Sequence, residues 1–285
     1  MIKKVSLNFR PDDFESLKII EKISILFRDK NVILQLPDYR ILHNSLLSDF
    51  ITDEKEYLQF PDLVIAIGGD GTFLKTARLF LETGSPIFGI NRGKLGFLTE
   101  FSPVEYEKYL LKILEGNYTI AEKNVMEAVH CKNGTNESLY FFNDAVISRG
   151  AFSRAIQIEL YAEDVFLNSF SGDGLIVATS TGSTAYSLSA GGPIIIPEAN
   201  DVYLVNPVCP HSLSMRPLVL PVETKLRART LTNLTNLLLT IDGQEAIEFS
   251  TGDELIFRKT DKKVKLIPHP DKNYFTILRE KLNWG

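Results

Sequence analysis

The stretch that decides the fold reads Leu63-Val64-Ile65-Ala66-Ile67-Gly68-Gly69-Asp70-Gly71-Thr72-Phe73-Leu74-Lys75-Thr76-Ala77-Arg78-Leu79-Phe80-Leu81. The unbroken apolar run at its start spells a strand covered on both faces. The glycines then turn the chain, and Leu74, Ala77 and Leu81 recur at helical spacing, which predicts a helix over about 72–82. Glycine has no Cβ, so the backbone N–H groups of Gly68, Gly69, Gly71 and Thr72 are open to an anion, typically phosphate, at a helix start. A carboxylate in the middle of such a site, Asp70, is expensive unless it has a task. It would hold a metal that bridges phosphates, or take the proton from an attacking hydroxyl. The spacing is neither that of the P-loop nor that of the Rossmann glycine fingerprint. The plainer alternative for the run by itself is a strand-to-helix turn in which Asp70 merely caps the helix.

Working outward, the first hundred residues alternate strand and helix signals. Val5–Phe9 reads as a strand, and 14–27 as a helix with Ile19, Ile23 and Leu26 on one face. Val32–Leu36 and Ile87–Ile90 read as further strands. Such alternation predicts a parallel sheet with helices on both faces, whose ligands bind at the carboxyl ends of the strands, where Asp70 lies. One more helix carries Tyr106, Leu110, Ile113 and Leu114 and ends near Gly116. The pattern then changes to short strands near 125–131, 139–148, 155–161, 164–170, 174–179, 202–206, 225–231, 236–241 and 254–258, separated by turn residues. The expected fold class is therefore an α/β N-terminal domain (1–105) followed by an all-β domain (106–265). A helix-like tail follows at 266–285.

Composition narrows the function. Of 285 residues, 44% are hydrophobic and 24% charged, which suits a soluble globular chain. The net charge of −5 argues against general nucleic-acid binding, while leaving room for a local basic pocket. No apolar run is long enough for a bilayer, and Met1–Arg10 lacks the apolar core of a signal peptide. Cys131 and Cys209 alone supply neither a disulfide framework nor a zinc cluster. A cytoplasmic protein with no membrane partner and no protein-held metal is expected.

A second constellation lies at 173–193, Asp-Gly-Leu-Ile-Val-Ala-Thr-Ser-Thr-Gly-Ser-Thr-Ala-Tyr-Ser-Leu-Ser-Ala-Gly-Gly-Pro. A strand leads into small hydroxyl residues, and a helix is expected from about Ser183 to the glycines at 191–192. Small residues admit a sugar and phosphates, and Tyr186 offers a flat face to a planar ring. A Ser/Thr-capped helix with no ligand fits the same residues. Asn143-Asp144 interrupts the apolar run 141–147, where buried polar side chains need partners that a ligand would supply, although a strand-end Asx turn also fits. Asn91-Arg92-Gly93-Lys94-Leu95-Gly96-Phe97-Leu98 follows a strand end with two cations and an aromatic, as a substrate-contacting loop or a plain connection.

Together these residues resemble the NAD kinases, the ATP-dependent enzymes that make NADP. The resemblance runs from about residue 60 almost to the end. It rests on GGDGT at 68–72, N-x-G-x-L-G-F-L at 91–98, Asn-Asp at 143–144, the block 173–193, NPVCPHSLSMRPLVL at 206–220 and DGQ at 242–244. It implies an N-terminal α/β domain, a C-terminal all-β domain and a tail returning to the first domain. It implies that Asp70 is the general base on the adenosine 2′-hydroxyl of NAD, which attacks the γ-phosphate of ATP while magnesium neutralises phosphate charge. Phosphoryl transfer depends mainly on in-line positioning and charge neutralisation, which suits this arrangement.

By the same resemblance Asp70 and Gly71 touch NAD, Asn143 and Asp144 hold the adenine ribose, and Phe97 lines the adenosine pocket. Asp173 and Thr184, Ala185, Tyr186, Ser187, Leu188 and Ser189 bind the dinucleotide, and Gln244 completes the pocket. Lys75 and Arg154 stand at family contact positions, Lys75 also reading as a solvated helix lysine. A homodimer or homotetramer is implied, with the NAD site near a subunit interface. The chain departs from the family at Ser171, where many relatives have arginine, and at Ser180, where proline is usual. Cys209 reads as packing and His211 as structural. A diacylglycerol-type lipid kinase shares the GGDGT run but predicts an acyl groove or amphipathic surface helix, which the sequence does not offer. A non-catalytic NAD(H) sensor would keep the pocket but have no use for Asp70.

Overall fold

The computed structural model describes residues 2–43, 45–132, 134–149, 155–199, 201–231 and 237–284. The chain forms two compact units, Met1–Glu122 with Val264–Gly285, and Lys123–Lys263.

The first unit runs β1 (Lys4–Phe9), α1 (Phe14–Lys30), β2 (Ile33–Gln35), α2 (Glu54–Leu58), β3 (Leu63–Ile67), α3 (Asp70–Leu79), β4 (Ile87–Ile90) and α4 (Tyr106–Leu114). Its strands lie in the order β2-β1-β3-β4, all parallel. Central β3 is buried along its whole length, which explains its unbroken apolar run. On one face Leu7, Phe9, Ile65, Ile67 and Ile90 pack against α1 and α4. The stripe that α1 buries is Ile20, Ile23 and Phe27, rotated from the Ile19–Leu26 face read from spacing; Ile19 and Leu26 only flank the core. The other face of β1 is polar. Ser6 donates to the Tyr57 carbonyl of α2 at 2.7 Å, and Asn8 Nδ2 donates to Thr76 Oγ1 of α3 at 2.8 Å. Helices thus cover both faces of the sheet.

The second unit holds β5 (Ala121–Lys132), β6 (Thr135–Phe141), β7 (Asp144–Arg149), β8 (Ile156–Ala162), β9 (Val165–Gly172), β10 (Gly174–Thr179) and α5 (Tyr186–Ser189). It continues with β11 (Val202–Val208), β12 (Leu218–Pro221), β13 (Leu226–Thr230), β14 (Leu237–Ile241), β15 (Glu245–Phe249) and β16 (Glu254–Leu266), whose end passes into the first unit. One sheet is antiparallel in the order β12-β11-β10-β7-β14-β15. The other aligns β16-β13-β8-β9 antiparallel, with β5 beside β16 and β6 beside β5. Ile147, Leu175, Val177 and Leu239 of the first sheet meet Ile158, Leu160, Leu226 and Phe257 of the second in one core. The outer face of β10 is covered as well, by Ala190 and Ile195 over Ile176 and Ala178, so β10 is buried throughout.

The run 139–148, which reads as one strand, is two. β6 pairs with β5 and β7 with β10 and β14, so the chain changes sheets at Phe142-Asn143. The cause is Asp242, buried in the turn after β14 at φ 50°. Its carboxylate accepts the N–H groups of Phe142 (3.1 Å), Asn143 (2.7 Å) and Asp144 (3.1 Å), and its own N–H donates to the Asp144 carbonyl at 2.8 Å. Strands β12 and β15 were not legible because both are short and largely exposed. The helix expected after Ser183 is also shorter: a 3₁₀ turn at Thr181–Thr184, then the single turn α5. Ser183 Oγ accepts the Ile195 N–H at 3.0 Å, so the segment is tied sideways instead of winding on.

After β16 the chain returns to the first unit and ends in α6 (Tyr274–Leu282), capped by Asn273, which accepts the Thr276 N–H at 2.9 Å. Glu100 accepts the His269 N–H at 2.7 Å, and Lys272 Nζ donates to the Glu100 carbonyl at 2.6 Å, fastening the tail. Replacing Asp242 with alanine strands three buried N–H groups. Urea unfolding of Asp242→Ala is expected to show a loss of about 2–4 kcal/mol.

Candidate active site

The first cluster of predicted residues sits at the carboxyl end of β3. Gly68 turns at φ 156°, and a Cβ there would overlap Thr72. Apart from chain neighbours and the helix's own backbone, nothing lies within 4 Å of where a Cβ would stand on Gly69 or Gly71. Asp70 opens α3 directly after Gly69, two residues before the periodicity begins. Its carboxylate turns away from the helix start and grips the loop after β4. Oδ2 accepts the Phe97 N–H at 2.9 Å, and Oδ1 accepts the Leu98 N–H (3.0 Å), the Thr99 N–H (3.2 Å) and the Thr99 hydroxyl (3.3 Å).

The rest of the loop is held as firmly. Asn91 donates through Nδ2 to the Thr99 carbonyl at 3.2 Å and accepts the Gly93 N–H at 2.8 Å. Arg92 pairs with the buried Asp13 at 2.5 Å. Burial would raise the Asp13 carboxyl, but the Ser16 hydroxyl and the Arg92 guanidinium hold it below the usual carboxylate range. One of the two loop cations is therefore committed to structure. Phe97 is half-buried, 6.2 Å from the Tyr274 ring with Lys281 Nζ 5.6 Å from its centroid, so α6 backs it. Lys75 is exposed and forms no ion pair among the described residues.

The second cluster lies in the β unit, around the sheet-changing corner. Thr179 at the end of β10 clasps the corner, its N–H on the Asn143 carbonyl (2.9 Å) and its hydroxyl on the Phe142 carbonyl (2.6 Å). Gly182 packs so closely on the Asn143 carbonyl that a Cβ would overlap it. The side-chain oxygen of Asn143 is buried and has no hydrogen-bond partner. Asp144 is buried beside Asp242; burial first, then the Asp242 charge, push its carboxyl up to about 7, while the Tyr186 N–H donated to it pulls the other way. Gln244 is exposed in the turn that carries Asp242. Tyr186 is half-exposed, and Thr184, Ala185, Leu188 and Ser189 are partly exposed or exposed. Ser187 is fully buried, its carbonyl taking a bond from Asn206 Nδ2 at 3.0 Å.

Asn143, Asp144, Tyr186 and the Gln244 turn are thus brought together. Asp173 is not among them. Asp144 stands opposite Ala178 while Asp173 precedes Gly174, so Asp173 lies about 17 Å away along β10. There it pairs with Arg149 at 3.0 Å. Arg154 falls outside the described residues. Among the described residues no three His, Cys, Asp or Glu side chains cluster as metal ligands.

Residues 47–118 match the ATP-NAD kinase N-terminal domain, and residues 142–269 match the ATP-NAD kinase C-terminal domain. An NAD kinase from Sulfurimonas denitrificans is 36% identical over 285 residues, 100% of this chain and 98% of its own. The chain belongs to the NAD kinase family. An NAD kinase from Aquifex aeolicus is 37% identical over 273 residues, 95% of each chain. Two solved structures share the fold. Yeast NADH kinase complexed with NADH has a TM-score of 0.91 at 24% identity, over 100% of this chain and 88% of that one. An NAD kinase from Archaeoglobus fulgidus in complex with ATP has a TM-score of 0.77 at 23% identity, over 97% and 99%.

Against this NAD kinase frame, sequence reading missed Asp242, Thr99 and Arg149. Asp242-Gly243 carries the signal of a tight hairpin turn, but nothing local shows that the Asp side chain reaches residues a hundred positions away. Arg149 carries no signal at all. Two outcomes are expected. A Cβ on Gly96 would overlap both the Asp70 carboxylate and the Thr99 hydroxyl, so Gly96→Ala should lose about 1–3 kcal/mol by thermal unfolding and most of its activity. Asp144 holds its proton in the folded chain between about pH 4 and 7, where the unfolded chain has released it. Its contribution to stability is full below pH 4 and lost as pH rises through 7. Asp144→Asn should therefore be more stable than the parent at pH 8, by about 1–4 kcal/mol in urea unfolding, with the gap closing toward pH 4.

Proposed function

We propose that this NAD kinase family member transfers the γ-phosphoryl group of ATP to the adenosine 2′-hydroxyl of NAD, giving NADP and ADP, with Asp70 as general base. The observation that carries the reading is a carboxylate at the start of a helix, flanked by two glycines whose sides are open. Phosphate oxygens would approach the backbone at Gly69 and Gly71, whereas the N–H groups of Gly68 and Thr72 are spent on the Ile90 carbonyl (2.9 Å) and the Gly69 carbonyl (3.0 Å), so those two residues would offer close approach instead of a free donor. The yeast relative was solved with NADH and the archaeal one with ATP, which fits a site that takes both classes of nucleotide.

In this reading Gly71 and Phe97 contact NAD, and Asn143 and Asp144 hold the adenine ribose. The unpartnered Asn143 oxygen supports the assignment, since a buried acceptor of this kind is satisfied by a ligand hydroxyl or amine. Thr184, Ala185, Tyr186, Ser187, Leu188 and Ser189 form the dinucleotide wall, Ser187 from behind, Gln244 completes the pocket, and Asp173 would bind the dinucleotide away from the Asn143–Asp144 corner. Lys75 and Arg154 would also contact NAD. A divalent cation, magnesium or a similar ion, would supply charge neutralisation on the phosphates when bound. Among the described residues no three His, Cys, Asp or Glu side chains cluster as ligands, and in this reading the ion would arrive with the nucleotide phosphates. A cytoplasmic homodimer or homotetramer completes the reading. No helix among the described residues is long and apolar enough to cross a membrane.

The test is NADP formation from NAD, ATP and magnesium. The purified chain should turn over, and Asp70→Asn should still bind NAD while losing about 10²–10⁴-fold in kcat. Undiminished turnover by Asp70→Asn would remove Asp70 from the chemistry, and failure of the parent to make NADP would sink the reaction itself.

A further inference from the structure

The bonds around Asp70 are unequally shared between its two oxygens. A carboxylate offers about four lone-pair sites, two on each oxygen. Oδ1 takes three donors, the Leu98 N–H, the Thr99 N–H and the Thr99 hydroxyl, and is saturated. Oδ2 takes only the Phe97 N–H, so one of its lone pairs is uncommitted. Gly96 lies directly against Oδ1 and Thr99 Oγ1, which leaves that side of the carboxylate no room for a substrate. Thr99 itself is fully buried, and its carbonyl is tied to Asn91 and Gly96. The donors that fix Oδ1 are therefore part of the frame, not of the substrate-facing surface.

We infer that the two oxygens have separate duties: Oδ1 anchors the loop through Thr99, and Oδ2 is the atom that takes the proton. Thr99 is accordingly a positioning residue for catalysis. The assignment rests on the phosphotransferase reading above. As the acceptor hydroxyl gives its proton to Oδ2, its oxygen forms the new bond to the γ-phosphorus. The bond from that phosphorus to the bridging oxygen breaks with its electron pair, which leaves on ADP. Asp70 then releases the proton to solvent. Throughout, Leu98 and Thr99 keep the carboxylate plane from rotating, so the free lone pair of Oδ2 stays aimed at the acceptor.

The experiment compares Asp70→Asn, Asp70→Ala, Thr99→Val and Thr99→Ser by thermal unfolding, calorimetric NAD binding and steady-state NADP formation. Asn keeps one oxygen for the Leu98 and Thr99 donors, so Asp70→Asn should lose kcat yet bind NAD within about threefold of the parent. Asp70→Ala loses the anchor too, and its NAD affinity should fall about tenfold or more as the Phe97 loop loosens. Thr99→Val keeps the shape without the hydroxyl. Its kcat should drop about 10–100-fold with KM for NAD and ATP little changed, and Thr99→Ser should restore most of the rate. The inference is overturned if Asp70→Asn loses NAD as completely as Asp70→Ala, if Thr99→Val keeps the parent kcat, or if Ser is as poor as Val at position 99. If the Asp70 variants turn over normally, it is the general-base reading that fails, and the division of duties goes with it.

Discussion

A carboxylate closed on consecutive backbone N–H groups is the interaction on which both halves of this protein depend. Asp242 holds the N–H groups of residues 142, 143 and 144, and Asp70 holds those of 97, 98 and 99. A bond to an ionised acceptor contributes about 1.5–3 kcal/mol, roughly twice a neutral one, so three of them can override local preference. In one unit they pull a strand out of its sheet and start another. In the other they fold the loop after β4 onto the start of a helix. The close-packed glycines follow from the same bonds, Gly96 against Asp70 and Gly182 against the corner that Asp242 creates.

These grips also set the electrostatics. Asp242 is surrounded by donors, while burial first and then the Asp242 charge act on the neighbouring Asp144. Its carboxyl moves up to about 7, into the range where a change of ligand or pH changes its protonation. Next to it stands a buried amide oxygen without a partner. A carboxyl held near neutrality and an unmet acceptor both cost stability, and both lie where the NAD kinase reading puts the ribose. That is the pattern of a site built for a ligand at the expense of the empty fold.

Much of the architecture was legible. Leu63–Ile67 reads as a buried strand because all five side chains are apolar, and it is the central strand of a parallel sheet. The alternation of strands and helices before Phe101, and the density of short strands after Gly116, each found its counterpart. Length and burial explain the failures. The four-residue β12 and the exposed β15 carry too little hydrophobic pattern to be seen. The 139–148 run misled because the buried Phe141 that ends β6 and the buried start of β7 stand on either side of the corner, and apolar periodicity does not report which sheet a strand joins.

The candidate site divides the same way. Residue chemistry marked Asp70, Asn143-Asp144 and the 173–193 block, since glycines, hydroxyls and isolated carboxylates are unusual beside buried strands. The sequence by itself determined the kinds of element, the family to which the chain belongs and the residues that can carry charge. Only the tertiary structure decided that Asp173 pairs with Arg149 far from Asp144, that Asp242 makes the corner, and that Thr99 occupies one side of Asp70. Element type follows from short-range sterics and the period of apolar residues, which neighbours in the chain encode. The direction and lone-pair occupancy of a carboxylate depend on donors twenty-seven to a hundred residues away, and those meet only when the chain has packed.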